Sequence, residues 1–276
     1  MIIDAHHHLW KHNDREYAWM SDERFRALRR DYLAKDLLEA TRDSDVQGTV
    51  AVQARQIIAE TEFLLDIASS EPLIRGVVGW IPLCASDVES HIERFSTDPK
   101  FKGVRHVLQD EPDDFFMLRD DFNCGVQLLK RFELVYEILI FERHLPQAIE
   151  FVDRHPNQVF VLDHVAKPRI KERVLSPWAE RIRDLAKREN VYCKVSGMVT
   201  EADWHGWNAE HLRPYFEVVL AAFGPARLMF GSDWPVLTLA SGYRAWVQTV
   251  QDLIADLSSL ERDRILSGTA QHVYRL

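Results

Sequence analysis

The amino-acid sequence predicts a single α/β domain, residues 1–276, folded as a (β/α)8 TIM barrel. Three observations favour this fold. The chain has 276 residues, and a barrel of this type occupies roughly 250. Short β-branched segments alternate with amphipathic segments of helical period, which is the order that produces a parallel sheet. The Gly-x-Gly-x-x-Gly motif of nucleotide-binding open sheets is absent, so a doubly wound open sheet ranks second.

The predicted strands are short and rich in Val, Ile and aromatic residues. They span residues 2–8, 48–54, 74–83, 101–108, 134–141, 159–165, 191–197 and 227–234. Helical segments with one apolar face lie between them, at residues 60–69, 87–95, 122–132, 145–154, 178–188, 210–223 and 243–257. The acidic and aromatic segment 108–121 is predicted to be a lid or rim above the barrel.

The composition excludes several classes of partner. The 43 acidic and 34 basic residues give a net charge of −9, which is unsuited to nucleic acid. No apolar segment is long enough to cross a membrane, and the N-terminus lacks a secretory signal, so we expect a cytoplasmic protein. Cys84, Cys124 and Cys193 are too widely spaced for a thiolate metal site or a disulfide framework. Whether the chain forms a homo-oligomer is left open.

The first predicted strand ends in three histidines, in the sequence IIDAHHH. Side chains alternate between the two faces of a strand, so His6 and His8 share one face and His7 points to the other. Two imidazoles at this spacing can hold one cation. The alternative is a hydrogen-bonded pair at the end of a strand.

Two more polar residues follow apolar strands. The sixth strand, VFVLDHV, carries Asp163 and His164, and His164 shares the parity of Phe160 and Leu162, which we take as the inward face. The eighth strand leads into FGSDWP, where Asp233 follows. The alternatives are a core histidine and a turn or capping aspartate.

In a TIM barrel the carboxyl ends of all strands meet at one mouth. His6, His8, His164 and Asp233 would therefore converge there. Imidazole and carboxylate ligands suit zinc or a similar divalent cation with one open position for water. Asp233 could take the proton of that water and pass it to a leaving group. The Gly-x-Ser-x-Gly motif is absent, which argues against a serine hydrolase.

Six other residues are candidate substrate contacts. Cations on barrel strands can polarise a carbonyl group, and indoles can support the apolar face of a sugar. Each charged residue could instead belong to a structural ion pair. Each indole could instead only pack at the rim of the barrel, without contacting a substrate. The candidates are Arg105 and His106 on strand 4, Glu137 on strand 5, Lys194 on strand 7, and Trp10 and Trp234 after strands 1 and 8.

Six motifs in this order resemble the sugar lactonase branch of amidohydrolase family 2, which contains L-fuconolactonases. They are IDAHHHLW, GVRHVLQDE, VYEILIFERHLP, VLDHVAKP, CKVSGMVTEADW and LMFGSDWPV, and the similarity extends to the closing GTAQHVYRL. The resemblance implies a distorted, amidohydrolase-type TIM barrel. Its expected activity is hydrolysis of a sugar-acid lactone derived from a deoxyhexose such as L-fucose or L-rhamnose.

The resemblance also implies roles for individual residues. His6, His8, His164 and Asp233 match active-site positions of the superfamily, with Asp233 as the base. His7 stands where typical relatives carry glutamine, and Glu137 stands where many metal-dependent members carry histidine. The departure at Glu137 leaves open whether the cation is required. The alternatives are a metal-dependent decarboxylase of a small carboxylic acid and a non-catalytic binding protein.

Overall fold

The computed structural model describes residues 1–276, and its eight parallel strands form one sheet in chain order. The predicted barrel and all eight of its strands are confirmed. The strands are β1 (Ile2–His7), β2 (Val46–Val52), β3 (Ile74–Gly79), β4 (Phe101–His106), β5 (Val135–Ile138), β6 (Phe160–Leu162), β7 (Val191–Val195) and β8 (Leu228–Phe230). Each strand ends one to four residues before its predicted end.

The sheet closes just beyond the end of β8. His8 N donates to Trp234 O at 2.7 Å, and Asp233 N donates to His6 O at 2.8 Å. These two backbone hydrogen bonds join the end of β1 to the segment after β8. They place the histidines of the first strand beside Asp233 at the mouth of the barrel.

Ten α-helices accompany the strands, and seven of them cover the predicted segments. The helices are α1 (Ala34–Thr41), α2 (Ile58–Ser70), α3 (Val88–Ser96), α4 (Asp120–Leu129), α5 (Leu145–Arg154), α6 (Trp178–Leu185), α7 (Ala209–Phe223), α8 (Tyr243–Leu253), α9 (Ser259–Asp263) and α10 (Thr269–Tyr274). The sequence pattern does not predict α1, α9 or α10. Only Leu37 and Thr41 of α1 are buried, so its apolar stripe is too narrow to recognise. No helix is both long and apolar enough to cross a membrane.

Apolar side chains pack in two separate cores. The larger core lies between the strands and the surrounding helices. The smaller core fills the lower barrel, and α10 closes it from below with Val273 and Tyr274. Full burial of one such aliphatic side chain contributes about 1.5–3 kcal/mol. Because the bottom is sealed, the interior is accessible only from the carboxyl ends of the strands.

A β-bulge in β1 reverses which side chains face inward. Asp4 pairs with Thr49 and His7 pairs with Ala51, so three steps along β1 match two along β2. Below the bulge Ala5 faces the interior core, whereas Asp4 faces outward and accepts hydrogen bonds from Ser232. Regular alternation would put the next odd-numbered residues inside. The extra residue instead turns the even-numbered ones inward.

Candidate active site and metal centre

Four predicted residues come together at the mouth of the barrel. His6 Nε2 and His8 Nε2 lie 3.2 Å apart, and His8 Nε2 lies 3.3 Å from Asp233 Oδ1. His6 Nε2 and His164 Nε2 lie 3.8 and 3.9 Å from the same oxygen. All four side chains are buried. The structure therefore brings one carboxylate oxygen and three imidazole nitrogens to a single point.

Hydrogen bonds on the far side of each ring orient two of these imidazoles. His8 Nδ1 lies 2.8 Å from Val52 O. A carbonyl oxygen only accepts, so Nδ1 carries the hydrogen and Nε2 presents its lone pair to the site. His164 Nδ1 lies 2.9 Å from Ser196 Oγ, which aims its Nε2 towards the same point.

His7 points away, as predicted from strand alternation. Its Nε2 lies 3.0 Å from Thr49 Oγ1 on the outer face of β2. Burial and, to a smaller extent, the neighbouring His8 lower the pKa of His7 to about 3. His7 is therefore a neutral structural residue at neutral pH.

The parity argument for His164 is wrong, although the residue reaches the site. Phe160 and Leu162 face the helices, and Val161 is the residue of β6 that belongs to the inner core. The strand ends at Leu162, and His164 has a left-handed φ of 51°. The turn therefore carries His164 to the mouth, and alternation along the strand does not.

Asp163 is the inward residue that the sequence analysis passed over. Its Oδ2 accepts from Arg105 Nη1 at 2.9 Å. Its Oδ1 lies 3.1 Å from Lys194 Nζ and 3.3 Å from His6 Nδ1, but accepts a well-aligned hydrogen bond from neither. Burial opposes the charged form, yet Lys194, His6 and Arg105 outweigh it and hold the pKa of Asp163 well below its usual value. The shared parity of Asp163 and Val161 was the signal that could have identified it.

Lys194 and Glu137 lie beneath the site, not in contact with the cavity. Lys194 Nζ is 2.6 Å from Glu137 Oε1 and 3.0 Å from His6 Nδ1, and both charged side chains are fully buried. The Tyr274 hydroxyl donates to Glu137 from below. Burial raises the pKa of Glu137 to about 7, against the opposing effect of Lys194. Both predicted substrate contacts are thus supports of His6 and Asp163.

Two arrangements of protons are open to His6. If His6 Nδ1 accepts from Lys194, the ring carries its hydrogen on Nε2 and donates it to His8. If Nδ1–H instead donates to the unsatisfied Asp163 Oδ1, Nε2 presents a lone pair beside that of His8. In this arrangement His6 Nε2 also accepts from Arg105 Nη1 at 3.3 Å, and a cation between the two imidazole lone pairs would relieve their repulsion at 3.2 Å.

The second arrangement fits a divalent metal ion. Ligand atoms of a tetrahedral zinc site lie about 3.3 Å apart when the zinc–nitrogen distance is about 2.0 Å. His6 Nε2, His8 Nε2 and Asp233 Oδ1 are separated by 3.2, 3.3 and 3.8 Å. These donors are the residues that could hold the ion, with His164 beside them.

Burial and neighbouring charges set the protonation of the two residues that face the cavity. Burial alone would raise the pKa of Asp233, but the neighbouring His164 and His8 outweigh it and hold the pKa below its usual value. Burial lowers the pKa of His164 to about 4, although Asp233 opposes this shift. At neutral pH the site therefore contains an ionised carboxylate next to a neutral imidazole.

A cavity of about 740 Å³ opens above these residues. His8, Arg105, His164 and Asp233 form part of its wall. Arg105 is almost fully buried, and its Nε–H has no acceptor within the protein. The cavity is large enough for a small substrate that would lie against an ionised carboxylate and the Arg105 side chain.

The two predicted indole platforms do not line this cavity. Trp10 is fully buried and its Nε1–H donates to Arg30 O at 2.8 Å. Trp234 packs edge-on against Tyr32, with ring centres 5.3 Å apart. Both indoles support the base of the long loop after β1, because the segment around Tyr32 folds back over them. The rings that face the cavity belong to Trp19, Phe25, Phe141 and Trp204.

His106 also lies outside the cavity wall. Its Nε2 is 2.6 Å from Glu111 Oε1, and its ring stacks on Phe116 with centres 4.9 Å apart. His106 therefore ties the loop after β4 to the barrel. The predicted rim segment 108–121 does reach the cavity, through Gln109 and Asp110.

Comparison with known proteins places the chain among enzymes with this architecture. The family model for amidohydrolase matches residues 3–276. The L-fucono-1,5-lactonase of Burkholderia multivorans is 39% identical over 99% of this chain and 96% of its own length. The L-fucono-1,5-lactonase of Burkholderia ambifaria is 36% identical over 99% and 95%. A crystal structure of an amidohydrolase from Burkholderia multivorans with bound zinc matches 100% of this chain and 99% of its own, with a TM-score of 0.96 and 39% identity.

Proposed function

This chain belongs to the amidohydrolase family, and from that membership and the geometry of its site we propose that it hydrolyses a sugar-acid lactone to the free aldonate. The substrate class is L-fucono-1,5-lactone or a related 6-deoxy-aldonolactone such as L-rhamnonolactone, formed during the breakdown of a deoxyhexose. The observation that carries the proposal is the ionised Asp233 beside three imidazoles, on the wall of a cavity that holds a molecule of this size.

Asp233 is the proposed base and acid of the reaction. Its lowered pKa keeps the carboxylate ionised, so that it can remove a proton from the water that adds to the lactone carbonyl carbon. The bond between that carbon and the ring oxygen then breaks. Asp233 returns the proton to the ring oxygen, which leaves as an alcohol, and the new carboxylic acid ionises in water.

Arg105 is the proposed stabiliser of the negative charge that develops on the carbonyl oxygen. Its guanidinium is held by Asp163 and by Gln53 O, and its side chain forms part of the cavity wall. A cation fixed in this way loses little free energy to reorganisation when the charge appears. A divalent ion held by His6, His8 and Asp233 would supply Lewis acidity and lower the pKa of the attacking water.

The test is acid release from a panel of lactones, followed in a weakly buffered solution with a pH indicator. We expect turnover of L-fucono-1,5-lactone and at least a 1,000-fold loss of kcat in the Asp233→Asn variant, since the general base is removed. Asp110→Asn, an equal change at an exposed carboxylate of the cavity rim, is the matched control and should retain activity. Near wild-type turnover by Asp233→Asn would refute the mechanism. Decarboxylation of a small aromatic acid without lactone hydrolysis would favour the alternative function.

We also propose that the enzyme works in the cytoplasm. All three cysteines are free, and Cys84 and Cys124 are exposed. Exposed thiols persist most readily in a reducing compartment. Mass spectrometry of the intracellular protein after alkylation of its thiols would test this placement, and oxidised Cys84 or Cys124 would contradict it.

A further inference from the structure

Three polar side chains of the cavity wall have a group without a hydrogen-bond or ion-pair partner in the protein. The buried Oε1 of Gln109 accepts no hydrogen bond. The Lys167 ammonium makes no ion pair and stands 5.4 Å from the centre of the Phe141 ring. The carboxylate of Glu201 likewise has neither a hydrogen bond nor a cation within 4 Å, although it lines the same cavity. Lys167 and Glu201 are half-buried on the wall of the cavity, so a ligand with several polar groups could form hydrogen bonds with them.

Glu201 stands out among these three groups. It lies on the loop after β7, six residues beyond the strand. Burial raises the pKa of its carboxyl group, while Lys167 opposes the shift without reaching ion-pair distance. No hydrogen bond connects Glu201 to His8, His164 or Asp233, so it belongs neither to the proton-transfer group nor to a structural ion pair.

An aromatic wall stands next to Glu201. Phe25 joins two loops, since its ring centre lies 5.6 Å from Trp19 and 6.1 Å from Trp204. Trp204 follows Glu201 by three residues on the same loop. A cavity lined by carboxylate, amide and ammonium groups together with indole rings matches a molecule with several hydroxyl groups and one apolar face.

We propose that Glu201 determines the specificity of the enzyme for hydroxylated lactones, by accepting hydrogen bonds from the ring hydroxyls of the substrate. The aromatic wall of Trp19, Phe25 and Trp204 receives the apolar face, which in a 6-deoxy sugar includes the methyl group. This inference rests on the proposed lactonase function. It adds a residue that touches the part of the substrate remote from the reacting carbonyl.

The test compares a hydroxylated lactone with a bare one of the same ring size. Wild-type protein, Glu201→Gln and Glu201→Ala are each assayed with L-fucono-1,5-lactone and with δ-valerolactone, which has no hydroxyl groups. Hydrogen bonds to a charged acceptor are the strong ones, so we expect KM for the sugar lactone to rise about 10- to 100-fold. The kinetic constants for δ-valerolactone should stay within about twofold, because that substrate offers no donor to Glu201.

Glu16→Gln is the matched control. It removes one carboxylate from the same cavity wall, but that carboxylate is already occupied by Arg55 and Asn13. We expect it to leave the ratio of the two KM values unchanged. Equal losses on both lactones in the Glu201 variants would overturn the proposal, and so would an unchanged KM for the sugar lactone. Wild-type protein that hydrolyses neither lactone would instead refute the lactonase function, before any variant is compared.

Discussion

Replacement of Asp163 by Asn should destabilise the protein strongly, although the two side chains have the same shape. Asp163 is fully buried between Arg105 and Lys194, with contacts of 2.9 and 3.1 Å. The amide would leave two buried cations facing Glu137 alone. Removing one member of a buried charge group costs about 3–5 kcal/mol. With an m-value of about 3 kcal/mol per molar urea, the midpoint of unfolding should fall by roughly 1–1.7 M.

The measurement is urea unfolding followed by circular dichroism, in the presence of a chelator so that bound metal does not contribute. Asp153→Asn is the matched control, since Asp153 makes a 2.7 Å ion pair with Arg188 but is about half exposed. An exposed pair of this kind contributes about 0–1 kcal/mol. Equal midpoints for the two variants would show that the buried carboxylate does not balance the two cations.

The same variant also tests the arrangement of protons on His6. Asp163 Oδ1 is the acceptor that would hold Nδ1–H and free Nε2 for a metal ion. Loss of such an outer partner typically weakens metal binding about 10- to 100-fold. Competition with a zinc-sensitive dye should show this loss in Asp163→Asn. Unchanged zinc affinity would mean that Asp163 does not set the tautomer of His6.

Two further substitutions test the packing around the site. His7→Gln should change kcat/KM by less than about twofold and the free energy of unfolding by less than about 1 kcal/mol. The reason is that the glutamine amide can still form a hydrogen bond with Thr49 Oγ1. A large loss of activity in steady-state assays would place His7 in the catalytic machinery. Gly125→Ala should destabilise the protein by about 1–3 kcal/mol, although alanine favours helices. The added Cβ would stand 2.1 Å from Leu83 O, a backbone atom that cannot turn aside; thermal unfolding at an unchanged temperature would contradict this reasoning.

The barrel could be predicted because its pattern is periodic. Short apolar strands and amphipathic helices recur along the whole chain, and each of the eight strands lies within a few residues of its predicted place. Strand alternation also separated His7 from His6 and His8. The bulge in β1 changes which residues point inward, but it precedes all three histidines and shifts them by the same amount. His6 and His8 therefore still share one face, and His7 still points to the other.

The parts that escaped prediction lie where the backbone is no longer periodic. His164 to Lys167 all have left-handed φ angles between 47° and 60°, without a glycine to mark the turn. His164 reaches the mouth only through this turn, because Phe160 and Leu162, whose parity it shares, face the helices. The cavity wall is formed by loops, and the direction of Glu201 or Trp204 depends on tertiary contacts that no local pattern encodes.

The bulge at the top of β1 suggests how such a site can arise in a barrel. One inserted residue leaves Ile3 and Ala5 in the apolar interior, yet it reverses every side chain that follows. A strand can thereby present inward ligands at the mouth without disturbing the apolar layers beneath. Removal of one residue at this level would turn His6 and His8 outward, while the residues below would keep their register.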